Sequence, residues 1–373
     1  MKARIETLDE LRALAIVAVL ISHFALAFGA QSTIAYWLNF PDLSVGVDLF
    51  FVISGYLIFN NLDDLTKAAP NVWRGVAAFY VRRLTRIAFP AWVMIAALAT
   101  ARLAWPASTT SDLTAAAGFV ANIHWGQCGA GARCGDPLAS SHFWSLSSEA
   151  QFYLLAPALL LGRRAAPYAA ITALILCSAL PHPHGSLLWT LRPDALLLGA
   201  ALASEEKRKA EWLATAPALS QGLAVYWLLV ASIVAQLGNA SLSGPAWSLT
   251  ALICAGIMLG RLNAAPIPGR AGISWRAIGK ASFSIYLVHL PIIGWAAEIA
   301  APRIGAAAAA IAAVAAISAV SALFEAAIVN PAARMARDSS RQILSNVGGG
   351  PEASTKNIEP CREPAVRMSR IVR

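Results

Sequence analysis

The sequence predicts an all-α, polytopic membrane protein of about ten transmembrane helices with both termini in the cytoplasm. Three observations carry that prediction. Of 373 residues, 58% are hydrophobic and only 13% are charged, and the mean hydropathy is +0.59; a soluble domain carries about twice that share of charge. Apolar runs of spanning length recur from Leu11 to Val329 with short polar breaks. The basic residues, finally, fall on alternate loops.

A helix needs roughly 20 mostly apolar residues to cross the hydrocarbon core. The runs that fit are 11–29, 43–60, 87–105, 143–161, 166–180, 187–203, 217–237, 246–260, 281–301 and 304–329. The stretch 112–125 is too short to span and reads as re-entrant or interfacial. Ala25-Leu26-Ala27 resembles a signal-cleavage site, but Glu6, Asp9 and Glu10 beside Lys2 and Arg4 do not make a basic leader. The first run is therefore expected to be an uncleaved span.

Orientation follows from Lys and Arg placement. With ten spans and the N-terminus inside, all of the 29 basic residues except Arg102, Arg133, Arg192 and Arg303 fall on the inner side. The net charge of +9 is thus a positive-inside signature, and nucleic acid is not an expected partner; membrane lipids are. Residues 1–335 are expected to form one transmembrane domain. Residues 336–373, polar with Gly348-Gly349-Gly350, should be a disordered cytoplasmic tail. Cys128 and Cys134 share the outside loop after the third span, where a disulfide is one of two open readings.

Ionisable groups inside spans are costly and mark functional sites by default. His23 lies about 9 Å below the outer surface and Asp48 about 8 Å, at 1.5 Å per residue. Glu149 and Arg192 reach the same layer from two further spans. The bland reading is structural: Glu149 paired with Arg192, His23 bonded to a carbonyl. The functional reading is a neutral His23 oriented by Asp48 as a general base.

A second group opens the third span. Arg82, Arg83 and Arg86 stand three or four apart on adjoining helix positions. They are either a cytosolic stop or a phosphate clamp, since guanidinium forks match phosphate oxygens. In the ninth span Ser282, Tyr286 and His289 share one polar face, with Pro291 expected to kink the helix beyond. That face is either hydrogen-bonding glue between helices or the lining of a passage.

These motifs together resemble the acyltransferase-3 family, bacterial integral-membrane acyltransferases of cell-envelope glycans and some small molecules. Arg12 and His23 match its Arg-x10-His signature, and Gly46 to Ile58, containing Asp48, is similar to its second span. Arg82, Arg83 and Arg86 match its Arg-rich third-span entry. Trp144-Ser145-Leu146 with Glu149, Phe152 and Tyr153 resembles its fourth-span motif, and the run Ser284 to Pro291, with Tyr286 and His289, its late motif. The resemblance covers about residues 5–335. It departs at Glu10, where many members have Gly, and at Asn330-Pro331, where members often have Glu before Pro; Glu325 is nearby.

The resemblance implies an O-acyltransferase of the bacterial inner membrane. The donor would be a cytosolic acyl-CoA, most often acetyl-CoA, with its phosphates on Arg82, Arg83 and Arg86. His23, Asp48, Arg12 and Glu149 would be catalytic, and His23 would either act as base or take the acyl group itself. Arg192, Trp144, Tyr153, Ser284, Tyr286 and His289 would bind the glycan or glycolipid acceptor. No metal and no tightly bound cofactor are expected. The family's optional esterase-like domain is expected to be absent, leaving transfer to this chain or to a separate periplasmic partner. The rival reading is a proton-coupled transporter in which the buried groups form a relay.

Overall fold

All regular structure is helical among residues 2–29, 42–162, 165–207, 215–237 and 242–345, which the computed structural model describes. Leaving aside the short turns Leu43–Val45 and Pro137–Ser140, the helices in chain order are α1 (Lys2–Phe28), α2 (Gly46–Ala68), α3 (Val72–Ala101), α4 (Thr110–Ala117), α5 (Ala121–Cys128), α6 (Phe143–Leu161), α7 (Ala165–Ala179), α8 (Leu187–Leu191), α9 (Asp194–Lys207), α10 (Gln221–Leu237), α11 (Ser243–Leu262), α12 (Gly269–Ile304), α13 (Ala306–Phe324) and α14 (Asn330–Ser345).

Six helical stretches among the described residues are long and apolar enough to cross a membrane: Ile5–Phe28, Leu43–Ala68, Val72–Ala101, Ser243–Leu262, Gly269–Ile304 and Ala306–Ser345. The chain is a multi-pass membrane protein. Helices α7 and α10 are apolar but shorter, and α6 occupies the expected run 143–161.

Helix starts follow local chemistry. The Asn71 side chain accepts the Arg74 amide at 3.0 Å and opens α3 eleven positions before Arg82. The third helix thus begins at Val72, not at the apolar run 87–105, and the arginines lie within it. Thr109 and Asp112 close a capping box at α4. The expected span 187–203 is broken. Arg192 is extended (φ −64°, ψ 122°) between α8 and α9 because the ring of Pro193 disfavours the α conformation before it. The stretch 112–125 forms the two short helices α4 and α5. Pro291 sits inside α12, which continues through it.

Three π-helical turns interrupt the long helices: Leu84–Ala88 in α3, Ala296–Ala300 in α12 and Glu325–Val329 between α13 and α14. Such turns are rare and favour functional sites, and the first and third carry Arg86 and Glu325. Residues 336–345, expected to belong to the tail, lie within α14, which runs to Ser345; residues 346–373 lie outside the described part, as do Arg163, Arg164, Arg208 and Lys209.

Lipid tails are as apolar as Leu, so close packing rather than transfer from water holds such helices together. Two glycines show it. A Cβ on Gly55 would collide with the Leu196 backbone, and one on Gly199 with the Val52 carbonyl, so α2 and α9 touch main chain to main chain. Gly279 likewise admits the Asp9 carbonyl, seating α12 against α1. These contacts place His289 beside His23 and Arg192 beside Asp48.

Outside the long helices, Cys128 and Cys134 are disulfide-bonded, with Cα atoms 6.0 Å apart. Asp112 accepts the amides of Thr109 at 2.6 Å and Gly135 at 3.0 Å, and meets His124 Nε2 at 2.7 Å. Burial works against its ionisation, but these bonds win and hold the Asp112 carboxyl below the usual carboxylate range.

Candidate active site

The four ionisable groups expected in one layer separate into three environments. Helical rise fixes height along each axis, but the direction each side chain faces decides its partner.

The first environment is a pair of histidines. His289 Nδ1 lies 2.7 Å from the Tyr286 carbonyl, which can only accept, so Nδ1 carries the proton. His289 Nε2, 3.1 Å from His23 Nδ1, must then accept from it. This network assigns the lone pair of His23 to Nε2. His289 is fully buried, and its ring centroid lies 5.0 Å from that of His23. The group that orients His23 is therefore His289, one of the residues expected to bind substrate. A third ring, His142, packs 5.6 Å from His289 and 5.7 Å from Tyr286, with neither of its buried nitrogens hydrogen-bonded. Sequence reasoning missed His142, which stands just before the apolar run of α6; its place two residues ahead of Trp144-Ser145-Leu146 was the available signal.

The second environment corrects the role expected of Asp48. Arg192 Nη2 donates to Asp48 Oδ1 at 2.5 Å, and Arg192 Nη1 lies 3.7 Å from Asp194. All three side chains are buried. The Arg192 guanidinium also stands 4.6 Å over the Trp247 ring and 5.8 Å from that of Trp189. Asp48 thus neutralises an arginine instead of orienting His23. Arg192 does not pair with Glu149, because the break before Pro193 turns it towards α2. Trp144 belongs to the same aromatic group, 4.4 Å from Trp189 and edge-on to Phe51.

The third environment is a cavity of about 700 Å³ walled by α1, α2, α3, α6, α12 and α14. Glu149 faces it, accepting from Ser54 Oγ at 3.2 Å and Tyr153 OH at 2.7 Å. Ser54 lies six residues beyond Asp48, about 120° around α2 at 3.6 residues per turn, so the two acids look into different spaces. Arg12, Arg82, Arg83 and Arg86 all line the cavity, together with Lys280 and Arg337. Arg12 is held by Asp9 at 3.3 Å. Arg83 lies 5.2 Å from the Tyr153 ring and 5.4 Å from that of Phe79. Among the described residues no carboxylate lies within 4.0 Å of Arg82, Arg83, Arg86 or Arg337. Tyr153 is buried behind the wall, where it positions Glu149 and Arg83.

At its other end the cavity stops against Ser145 and Tyr286. Tyr286 OH donates to the His142 carbonyl at 2.7 Å, so Ser145 Oγ is the donor in their 2.5 Å contact. The Tyr286 ring, 5.4 Å from His289, separates the cavity from the histidines. Ser284 is buried, donating to Glu325 Oε2 at 2.5 Å; that bond ties α12 to the π turn, and Glu325 borders the cavity.

Glu10 also gains a place. It accepts from Arg261 Nη2 at 2.5 Å, Arg276 Nη1 at 3.0 Å and the Ile267 amide at 2.8 Å. Glu10 is thus the hub of a buried ion cluster joining α1, α11 and α12.

The peptidoglycan O-acetyltransferase OatA of Listeria monocytogenes is 34% identical over 166 residues, which are 42% of this chain and 24% of that protein. YrhL of Bacillus subtilis, provisionally named a peptidoglycan O-acetyltransferase, is 31% identical over 206 residues, 48% of this chain and 32% of the relative. A Staphylococcus aureus protein provisionally named an O-acetyltransferase is 31% identical over 160 residues, 41% of this chain and 24% of its own. The chain therefore spans about a quarter to a third of the length of these relatives. No solved structure matches it significantly. The model of the acyltransferase domain matches residues 5–326, so the chain belongs to the acyltransferase-3 family.

Proposed function

We propose that this protein is a membrane O-acyltransferase that moves a short acyl group, acetyl above all, from cytosolic acyl-CoA to a hydroxyl of a cell-envelope glycan or glycolipid on the periplasmic side. In this reading about ten helical segments cross the bacterial inner membrane, both termini are cytoplasmic, and the Arg-lined end of the cavity faces the cytosol. A separate periplasmic transferase is an optional partner. The names of the relatives support acetyl as the group and a peptidoglycan-type glycan as the acceptor.

One observation carries the proposal. A cavity lined by Arg82, Arg83, Arg86 and Arg337, none with a carboxylate within 4.0 Å among the described residues, ends against the tyrosine that backs the His23–His289 pair. Unpaired guanidiniums are the natural partners of a diphosphate, and the pantetheine arm is long and thin enough to carry the thioester inward. His23 Nε2 then takes the proton of the acceptor hydroxyl as its oxygen attacks the thioester carbonyl. The carbon–sulfur bond breaks, and the departing CoA thiolate recovers the proton from the imidazolium. His289 keeps the imidazole in the tautomer this needs. Arg12 and Glu149, facing the same cavity, would hold the arm and the developing charge.

The test is turnover of radiolabelled acetyl-CoA by purified protein. His23→Ala is expected to lower transfer about 10²–10⁴-fold, the usual range for a general base, with unchanged expression and CoA binding. Wild-type-like transfer by that variant would remove the central claim. Neither turnover nor CoA binding by the wild type would favour the proton-coupled carrier.

A further inference from the structure

The cavity has a wall that the family match does not include. The acyltransferase model ends at residue 326, whereas Asn330, Ala333, Ala336 and Arg337 of α14 line the cavity. Helix α14 packs on the first half of α3. Arg82 Nε donates to the buried Ser340 Oγ at 2.7 Å, so the helix is docked through the arginine cluster itself. Arg337 lies one turn before Ser340, exposed at the rim, within electrostatic reach of both Arg82 and Arg86. The neighbouring acid, Asp338, faces Arg341 at 3.9 Å, where both are exposed. Like charges gathered without a counter-ion are costly unless an anion joins them.

Acyl-CoA carries two anionic groups at different distances from the thioester. The diphosphate follows the pantetheine arm, and the ribose 3′-phosphate lies beyond it. With the thioester at the Tyr286 end, Arg83 and Arg86 meet the diphosphate, and the rim meets the doubly ionised monoester. We propose that Arg337, together with Arg82, forms the 3′-phosphate subsite, so that α14 completes the donor site. This rests on the acyl-CoA reading above.

The test compares apparent KM values for acetyl-CoA and acetyl-3′-dephospho-CoA in the purified full chain. The wild type is expected to favour acetyl-CoA about tenfold, the scale of one charge-assisted contact. Arg337→Gln should bring acetyl-CoA to the dephospho level while leaving the dephospho donor and kcat within about twofold. Arg334→Gln, exposed on the same helix but outside the cavity, should retain the preference. A wild type that turns over both donors alike, or Arg337→Gln weakening both equally or neither, overturns the subsite and leaves the acyl-CoA reading standing. No turnover or binding of either donor by the wild type overturns that reading itself. Should Arg337→Gln not fold, Arg337→Lys takes its place: a smaller preference supports the subsite, and an unchanged one overturns it.

Discussion

Two groups of arginines sit in this molecule under opposite conditions. Arg192 is enclosed, with Asp48 at 2.5 Å, Asp194 at 3.7 Å and an indole against its face. Arg82, Arg83, Arg86 and Arg337 line a cavity, and none of the four has a carboxylate within 4.0 Å among the described residues. The first group has settled its charge inside the protein, so its work is to hold α2 against the α8–α9 corner. The second group has no such partner, and the proposed donor site rests on that difference. Arginines in apolar surroundings look alike in sequence; what separates them is whether the counter-ion is part of the chain.

The comparison breaks most visibly if the enclosed group is opened. Arg192→Ala should cost about 3–5 kcal/mol, because it leaves Asp48 and Asp194 buried without their cation. Thermal melting in detergent measures it, and activity should fall with the folded fraction. Asp48→Asn keeps a hydrogen-bond acceptor and leaves Asp194 to balance Arg192, so its loss should be smaller. A fully folded Asp48→Asn with kcat reduced more than tenfold would return Asp48 to the role of orienting His23.

Glu10→Gln tests a second enclosed cluster, with a somewhat smaller loss of about 2–3 kcal/mol expected because Arg276 is partly solvated and the amide can still accept. Its effect too should appear in melting temperature and not in KM.

At the cavity the signs reverse. Arg86→Gln should raise the apparent KM for acetyl-CoA about tenfold, the size of one charge-assisted hydrogen bond, and leave the melting temperature unchanged or slightly higher as repulsion is relieved. An effect confined to acceptor affinity would place the donor elsewhere.

The smallest effect belongs to the Asp112 loop. Its carboxyl is depressed in the folded protein, so its stabilising contribution is present above the ordinary carboxylate range near 3.9 and is lost as pH falls through the depressed value. Hydrogen exchange of the Gly135 amide should accelerate relative to its intrinsic rate at low pH, and in Asp112→Asn at all pH values. Unchanged protection would mean that the disulfide alone holds the loop.

Much of the candidate site was legible in the sequence. Arg12, His23 and the Arg82–Arg86 group declare themselves because charge inside an apolar run is expensive and its spacing can be read directly. Tyr286 and His289 declare themselves by a polar face at helical spacing. The partners were less legible. Counting residues places His23 and Asp48 at one depth, but not towards each other. The Arg192-Pro193 break was visible as a dipeptide, yet the surrounding apolar residues continue across it and mask it. His142 and α14 stand outside the apolar runs, and a reading led by hydropathy passes over both.

What the sequence determined by itself is the helical, multi-pass class and the inventory of buried charges. Both follow from local cost: the lipid interior forces each spanning backbone to satisfy its own hydrogen bonds, and each ionisable side chain must be justified. What only the tertiary structure decided is which charge answers which. Close glycine contacts between α2 and α9, and between α1 and α12, set the azimuth of each side chain. A rotation of a third of a turn separates the acid that neutralises Arg192 from the serine that serves Glu149.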